Sequence, residues 1–129
     1  MSSLKVLLVD DNRVGQKVGQ RLLSSLGYKA DIAGNGQEAL ELCARNTYGL
    51  ILMDCQMPVM DGYSATRVLR QQTQPQPIVI ALTADNLAEQ KDKCMEAGMD
   101  DYLTKPITRD ILKAAIARWQ DEMPMSAQA

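Results

Sequence analysis

The chain has 129 residues, enough for one domain with a real core, and its 46% hydrophobic and 23% charged content is that of an ordinary globular protein. A net charge of -2 gives no electrostatic reason for direct nucleic-acid binding, and no apolar stretch approaches the roughly 18 residues of a membrane span or forms a signal peptide. Scattered cysteines (Cys43, Cys55, Cys94) argue against a disulfide framework and for a reducing, cytoplasmic setting, while the absence of histidine leaves carboxylates, hydroxyls and lysine to carry any chemistry.

Strand-like and helix-like patterns alternate along the whole chain. An apolar run at 5–9 ends on Asp10-Asp11. Val14, Val18, Leu22 and Leu26 then recur at helical spacing, with Arg13, Gln16, Lys17, Gln20 and Arg21 turned outward, and Gly27 stands where a glycine closes a helix. The run at 29–33 is mixed, and Asn35-Gly36 punctuates it before a helix over 37–46. A second apolar run at 50–53 ends on Asp54, with a helix following over 62–71. A third at 78–82 ends on Thr83, and the helix over 86–97 stops at Gly98. The last strand-like run, 101–104, ends on Lys105-Pro106 and leads into a helix over 109–120. From about Met123 the periodicity is lost, so the expected domain is 4–120 with a flexible tail over 121–129.

This alternation implies an α/β fold: a (βα)5, doubly wound, parallel five-stranded sheet covered by helices on both faces. The first, third and fourth runs are almost wholly apolar, as strands buried on both faces must be, and the mixed second and fifth runs belong at the edges. Right-handed crossovers then give the order 2-1-3-4-5, the flavodoxin-like arrangement, with its switch point between the first and third strands.

In such a sheet Asp10, Asp11, Asp54, Thr83 and Lys105 all meet at the carboxyl edge, where open α/β folds bind ligands. Three carboxylates brought together need a cation or raised pKa values, and an all-oxygen site open to solvent suits Mg²⁺. Lys105 offers a point positive charge to a phosphoryl oxygen, and Thr83 a hydroxyl donor. Asp54, at the end of the central third run, is the best-placed nucleophile, and its attack on phosphorus would give an acyl phosphate. Taken singly, each of Asp10, Asp11, Asp54 and Thr83 is more often a helix cap, and Lys105 a solvated surface lysine. The coincidence of complementary groups at four strand ends favours the site.

The segments Val9-Asp10-Asp11-Asn12, Leu52-Met53-Asp54-Cys55-Gln56-Met57-Pro58, Met60-Asp61-Gly62, Ala81-Leu82-Thr83-Ala84 and the run from Ala97 to Pro106 together carry a specific pattern. In these the chain resembles, from about Lys5 to Trp119, the receiver domain of two-component response regulators, most closely those fused to hybrid sensor histidine kinases. The resemblance implies that Asp54 is the phosphoacceptor. It makes Asp11, Asp54 and the Gln56 backbone carbonyl the ligands of Mg²⁺, with Mn²⁺ as an alternative ion, and has Asp10 act through water. It places Lys105, Thr83 and the backbone N–H groups near Gln56 and Ala84 on the phosphoryl oxygens, makes Thr83 and Tyr102 a switch pair, and implies a cis Lys105-Pro106 bond.

It further implies a monomer or weak dimer that works with a histidine kinase or histidine phosphotransfer domain, on the cytoplasmic side of the membrane, without nucleic-acid or membrane contact of its own. Such a module is no turnover enzyme, although it would catalyse its own phosphorylation and dephosphorylation. A stand-alone regulator is the alternative to an excised hybrid-kinase domain. An aspartate-nucleophile phosphatase of the haloacid dehalogenase type is disfavoured by the adjacent Asp10-Asp11, and an FMN module by the charge those residues would set against phosphate. The departure from the family pattern is in the first helix, where Gly15 and Gly19 stand in place of the more usual Asn and Ala.

Overall fold

Each apolar run and each amphipathic pattern becomes one element of the computed structural model, in which the described residues are 4–55, 60–72, 76–83 and 88–123. In chain order these are β1 (Val6–Val9), α1 (Arg13–Ser25), β2 (Ala30–Ala33), α2 (Gly36–Arg45), β3 (Leu50–Asp54), α3 (Gly62–Arg70), β4 (Ile78–Thr83), α4 (Ala88–Ala97), β5 (Asp101–Thr104) and α5 (Arg109–Trp119). All strand pairs are parallel, and the sheet order is β2-β1-β3-β4-β5. β1, β3 and β4 are buried at every position, whereas β2 and β5 are only partly covered, so the apolar content of each run did set its place in the sheet.

Period-two alternation divides the core between the two faces. Leu7, Val9, Ile51, Met53, Val79 and Ala81 pack under α2, α3 and α4 through Ala39, Cys43, Ala65, Leu69 and Cys94. Val6, Leu8, Leu50, Leu52, Ile80 and Leu82 pack under α1 and α5 through Leu23, Leu112, Ala115 and Ile116. After α5 the chain makes a 3-10 turn at Gln120–Glu122, and Met123 joins this second cluster at 6% exposure. Ordered packing therefore extends past residue 120.

The helix ends are fixed locally. The Asn12 side chain caps α1 by accepting from the Val14 and Gly15 N–H groups, and Asn35, Asp61 and Thr108 cap α2, α3 and α5. At the far end of α1, Gly27 takes φ 92°. There the Tyr28 N–H donates to the Leu23 carbonyl at 2.9 Å and the Gly27 N–H to that of Ser24 at 3.0 Å, a Schellman closure. Strand register then brings the site together. Val9 pairs with Met53, so Asp10 and Asp54 emerge level with each other; Asp54 pairs with Leu82, and Thr83 with Thr104, one residue before Lys105.

Candidate functional site

At the carboxyl edge of the sheet, Asp10 (3% exposed), Asp54 (7%) and Thr83 (4%) are three of the four buried polar or charged side chains among the described residues. The fourth, Thr66, is accounted for inside α3, where its hydroxyl donates to the Gly62 carbonyl at 2.8 Å. Burial of two carboxylates side by side is costly without a counter-charge. One oxygen from each of Asp10, Asp11 and Asp54 lies within 4.8 Å of the others, and Asp11 is solvent-exposed. Lys105 Nζ stands 3.5 Å from Asp54 Oδ2. The four predicted strand-end groups therefore converge.

The helix-cap alternative fails for the buried aspartates. Asn12 caps α1 and Asp61 caps α3, so neither Asp10 nor Asp54 serves in that way. Asp10 instead is built into the turn: its Oδ1 accepts from the Asn12 N–H at 2.9 Å, and its carbonyl accepts from Gln16 Nε2 at 2.8 Å. Lys105 is placed by its own N–H, which donates to the Thr83 carbonyl at 2.7 Å, and the Lys105-Pro106 bond is cis. Gln56 and Ala84, to which the family pattern assigns a carbonyl ligand and phosphoryl N–H donors, lie outside the described residues.

Tyr102 is half-buried on β5 opposite Ala81, which puts it diagonal to Thr83 across the strand pair, and it packs against the cluster beneath α2, α3 and α4. The chemistry of the donor set fits a hard divalent cation: clustered carboxylate oxygens, partly open to water, with no thiolate or imidazole among them. The cysteines take no part. All are buried and reduced; burial pushes the Cys55 thiol up to about 12 and the Cys43 thiol up to about 11, and raises that of Cys94 as well, so they remain neutral core side chains.

Some contributors carried no role in the sequence. Gln16, expected to face outward, is half-buried and clamps the Asp10 carbonyl, which becomes visible only once α1 is placed; Asn12 caps that helix, and an Asn just before a helix is the usual signal for a cap. Gly62 is needed because a Cβ there would collide with the Asp54 carbonyl oxygen. An apolar cavity of about 430 Å³ opens between α1 and α5, walled by Val18, Leu22, Ile107 and Leu112, and reaches Asp10 and Lys105.

The family model of the response regulator receiver domain covers residues 6–117. The chain belongs to the response regulator receiver family. Hybrid signal transduction histidine kinase B of Dictyostelium discoideum is 45% identical over 121 residues, which is 84% of this chain and 6% of that protein. The receiver domain of sensor histidine kinase PA1611 from Pseudomonas aeruginosa PAO1, solved with magnesium in its active-site cleft, superposes with a TM-score of 0.84 at 44% identity, covering 92% of this chain and 98% of that one. The receiver domain of Ssk1, solved in complex with the histidine phosphotransfer protein Ypd1 of Saccharomyces cerevisiae, is in a structure that matches with a TM-score of 0.85 at 32% identity over 92% of this chain and 89% of that one.

This receiver domain is thus a module of two-component and phosphorelay signalling, homologous to the receivers of hybrid histidine kinases. That family membership sets aside the phosphatase and flavin-module alternatives. The receiver spans between 6% and 13% of the length of the first curated relatives that it matches. Among the described residues, no helix is long and apolar enough to cross a membrane.

Proposed function

We propose that the receiver accepts a phosphoryl group from a phosphohistidine on a partner domain, onto a carboxylate oxygen of Asp54. The observation that carries this is the convergence at one edge of three carboxylates within 4.8 Å and of Lys105 Nζ 3.5 Å from Asp54 Oδ2. The Asp54 oxygen attacks phosphorus as the P–N bond breaks, and the bonding electron pair leaves with the imidazole, which takes up a proton. Lys105 follows the phosphoryl oxygens with its ammonium, and the Thr83 hydroxyl donates to another. The buried walls of β3 and β4 hold Asp54 and Thr83 in place, so the chain contributes orientation and fixed charge. Water attack on the acyl phosphate then returns Asp54 to its carboxylate. Both reactions occur on the chain's own side chain, which is why no turnover substrate is required.

Asp11 and Asp54 would hold Mg²⁺, or Mn²⁺ in its place, with Asp10 acting through water and the Gln56 carbonyl completing the protein ligands on the family pattern. When bound, the ion would neutralise the carboxylate cluster and draw charge from the phosphoryl oxygens. Phosphoryl N–H contacts near Gln56 and Ala84 belong to the same proposal. The partner is a histidine kinase or histidine phosphotransfer domain, which docks over α1 and the mouth of the crevice, where Val14 (69% exposed), Gly15 and Val18 (49%) offer a small apolar surface. The likeness to sensor and hybrid kinases supports a parent hybrid kinase, with residues 4–120 as its receiver unit on the cytoplasmic side of the membrane, working as a monomer or weak dimer.

Intact-mass measurement after incubation with acetyl phosphate tests the acceptor. One phosphoryl adduct is expected in Mg²⁺, none in EDTA and none on Asp54→Asn. An adduct that survives in Asp54→Asn, or forms equally in EDTA, refutes the assignment.

A further inference from the structure

We infer that Gly15 is a positioning residue that sets the Asp10 carboxylate back from the crevice and so weakens the hold of the site on Mg²⁺. The first turn of α1 lies directly against Asp10. A Cβ built on Gly15 would collide with Asp10 Oδ2 and come within 2.9 Å of its Cγ and 3.3 Å of its Oδ1; its three nearest neighbours are all atoms of this one carboxylate. Any residue but glycine would therefore displace the carboxylate, which is the movable end of a side chain.

The displacement has a direction. The Asp10 backbone is pinned on both sides, because its N–H donates to the Ala33 carbonyl at 3.0 Å and its carbonyl accepts from Gln16 Nε2 at 2.8 Å. The neighbouring cavity is walled by Leu8, Val18, Leu22 and Leu112, into which a bare charge does not move, and the cation that lines it, Lys105, has its ammonium 3.5 Å from Asp54, on the crevice side. What remains is rotation away from α1, further into the crevice that Asp10 shares with Asp11 and Asp54, against the hold of the Asn12 N–H on Oδ1 at 2.9 Å. Gly15 thus provides a resting place for the carboxylate against the helix, and the chain gives up cation affinity for it. Phosphorylation of this receiver then follows free Mg²⁺ over a higher concentration range than it would with a side chain at position 15.

The inference rests on the proposal that Asp10, Asp11 and Asp54 form the Mg²⁺ site. Calorimetric titration of Mg²⁺ into the apo protein tests it. Closer approach of one carboxylate should tighten binding about fivefold in Gly15→Ala. Loss of packing would weaken binding, so the sign separates positioning from damage. Gly19→Ala is the control, since its Cβ would meet only the Leu8 side chain, and Mg²⁺ affinity should not change. In an Asp10→Asn background, Gly15→Ala should add nothing. Unchanged or weaker binding in Gly15→Ala, an equal gain in Gly19→Ala, or a gain that persists with Asp10→Asn would overturn the inference. So would a Gly15→Ala chain that fails to fold, because the carboxylate and not the helix is held to yield. A wild-type chain that does not bind Mg²⁺ at all would refute the metal site itself, a separate result.

Discussion

Replacing Asp54 with Asn should stabilise the fold while it abolishes phosphorylation. Without a cation, Asp54 faces Asp10 and Asp11 at separations of up to 4.8 Å, where each like-charge pair costs about 3.5 kcal/mol at an effective dielectric near 20. Against these two repulsions stands the attraction to Lys105 at 3.5 Å, worth about 4.7 kcal/mol on the same scale. The balance, about 2 kcal/mol in favour of removing the charge, must be discounted for solvent, because Asp11 is exposed and the Lys105 side chain is 39% exposed. Roughly 1 kcal/mol of net stabilisation remains, or about 3–5 °C in Tm for a domain of this size. The near-isosteric amide leaves the packing alone. Mg²⁺ should reverse the comparison: at ten times its Kd it adds about 1.4 kcal/mol to the wild type and little to the variant. Calorimetric melts in EDTA and in Mg²⁺ provide the test. If Asp54→Asn melts at or below the wild type in EDTA, repulsion within the carboxylate cluster does not destabilise the fold.

Three further outcomes follow from the structure. Arg70 donates to the Gly98 carbonyl, the Pro77 carbonyl, Gln76 and the Asp100 carboxylate, all at 2.8–2.9 Å, so Arg70→Ala should cost about 2–3 kcal/mol in urea denaturation, and Arg70→Lys should recover little of it. The buried thiols give a pH signature: an unfolded thiol ionises near 8.5, whereas Cys43 and Cys55 stay neutral in the fold up to about 11 and about 12, so stability is full below about pH 8.5 and falls as pH rises through that window. Cys43→Ala should flatten that fall in urea midpoints measured between pH 8 and 11, and an unchanged slope would contradict it. Beryllofluoride with Mg²⁺, a mimic of the acyl phosphate, should draw Thr83 toward Asp54 and turn Tyr102 inward; crystal structures with an unchanged Tyr102 rotamer would place the output surface elsewhere.

Sheet order was legible because burial on both faces demands continuous apolar strands, and only 6–9, 50–54 and 78–83 meet that demand. The site was legible for a related reason: each central strand ends abruptly on a polar group, and parallel register must bring those ends level. What sequence did not show depends on contacts between distant segments. Arg70 finds Gly98 and Asp100 nearly thirty positions away, and no local pattern marks an arginine for that task. Nor does the spacing of Gly15 and Gly19 show which atoms lie beneath them; at the level of helix propensity both are simply unfavourable residues. Met123 likewise reaches the core from a short turn without helical periodicity, a contact that no local pattern marks.

The single tryptophan gives this receiver an optical reporter of its own. Trp119 Nε1 donates to Asp101 Oδ2 at 2.8 Å, beside Arg118 on the same oxygen, while Asp101 Oδ1 accepts from the Tyr102 N–H at 2.8 Å. One carboxylate therefore joins the indole at the end of α5 to the backbone of Tyr102. A shift of β5 at that residue must alter the field around the indole, and so its emission, without any attached dye. Phosphoryl transfer could then be followed in real time from the native protein alone, and Trp119→Phe would serve as the dark control.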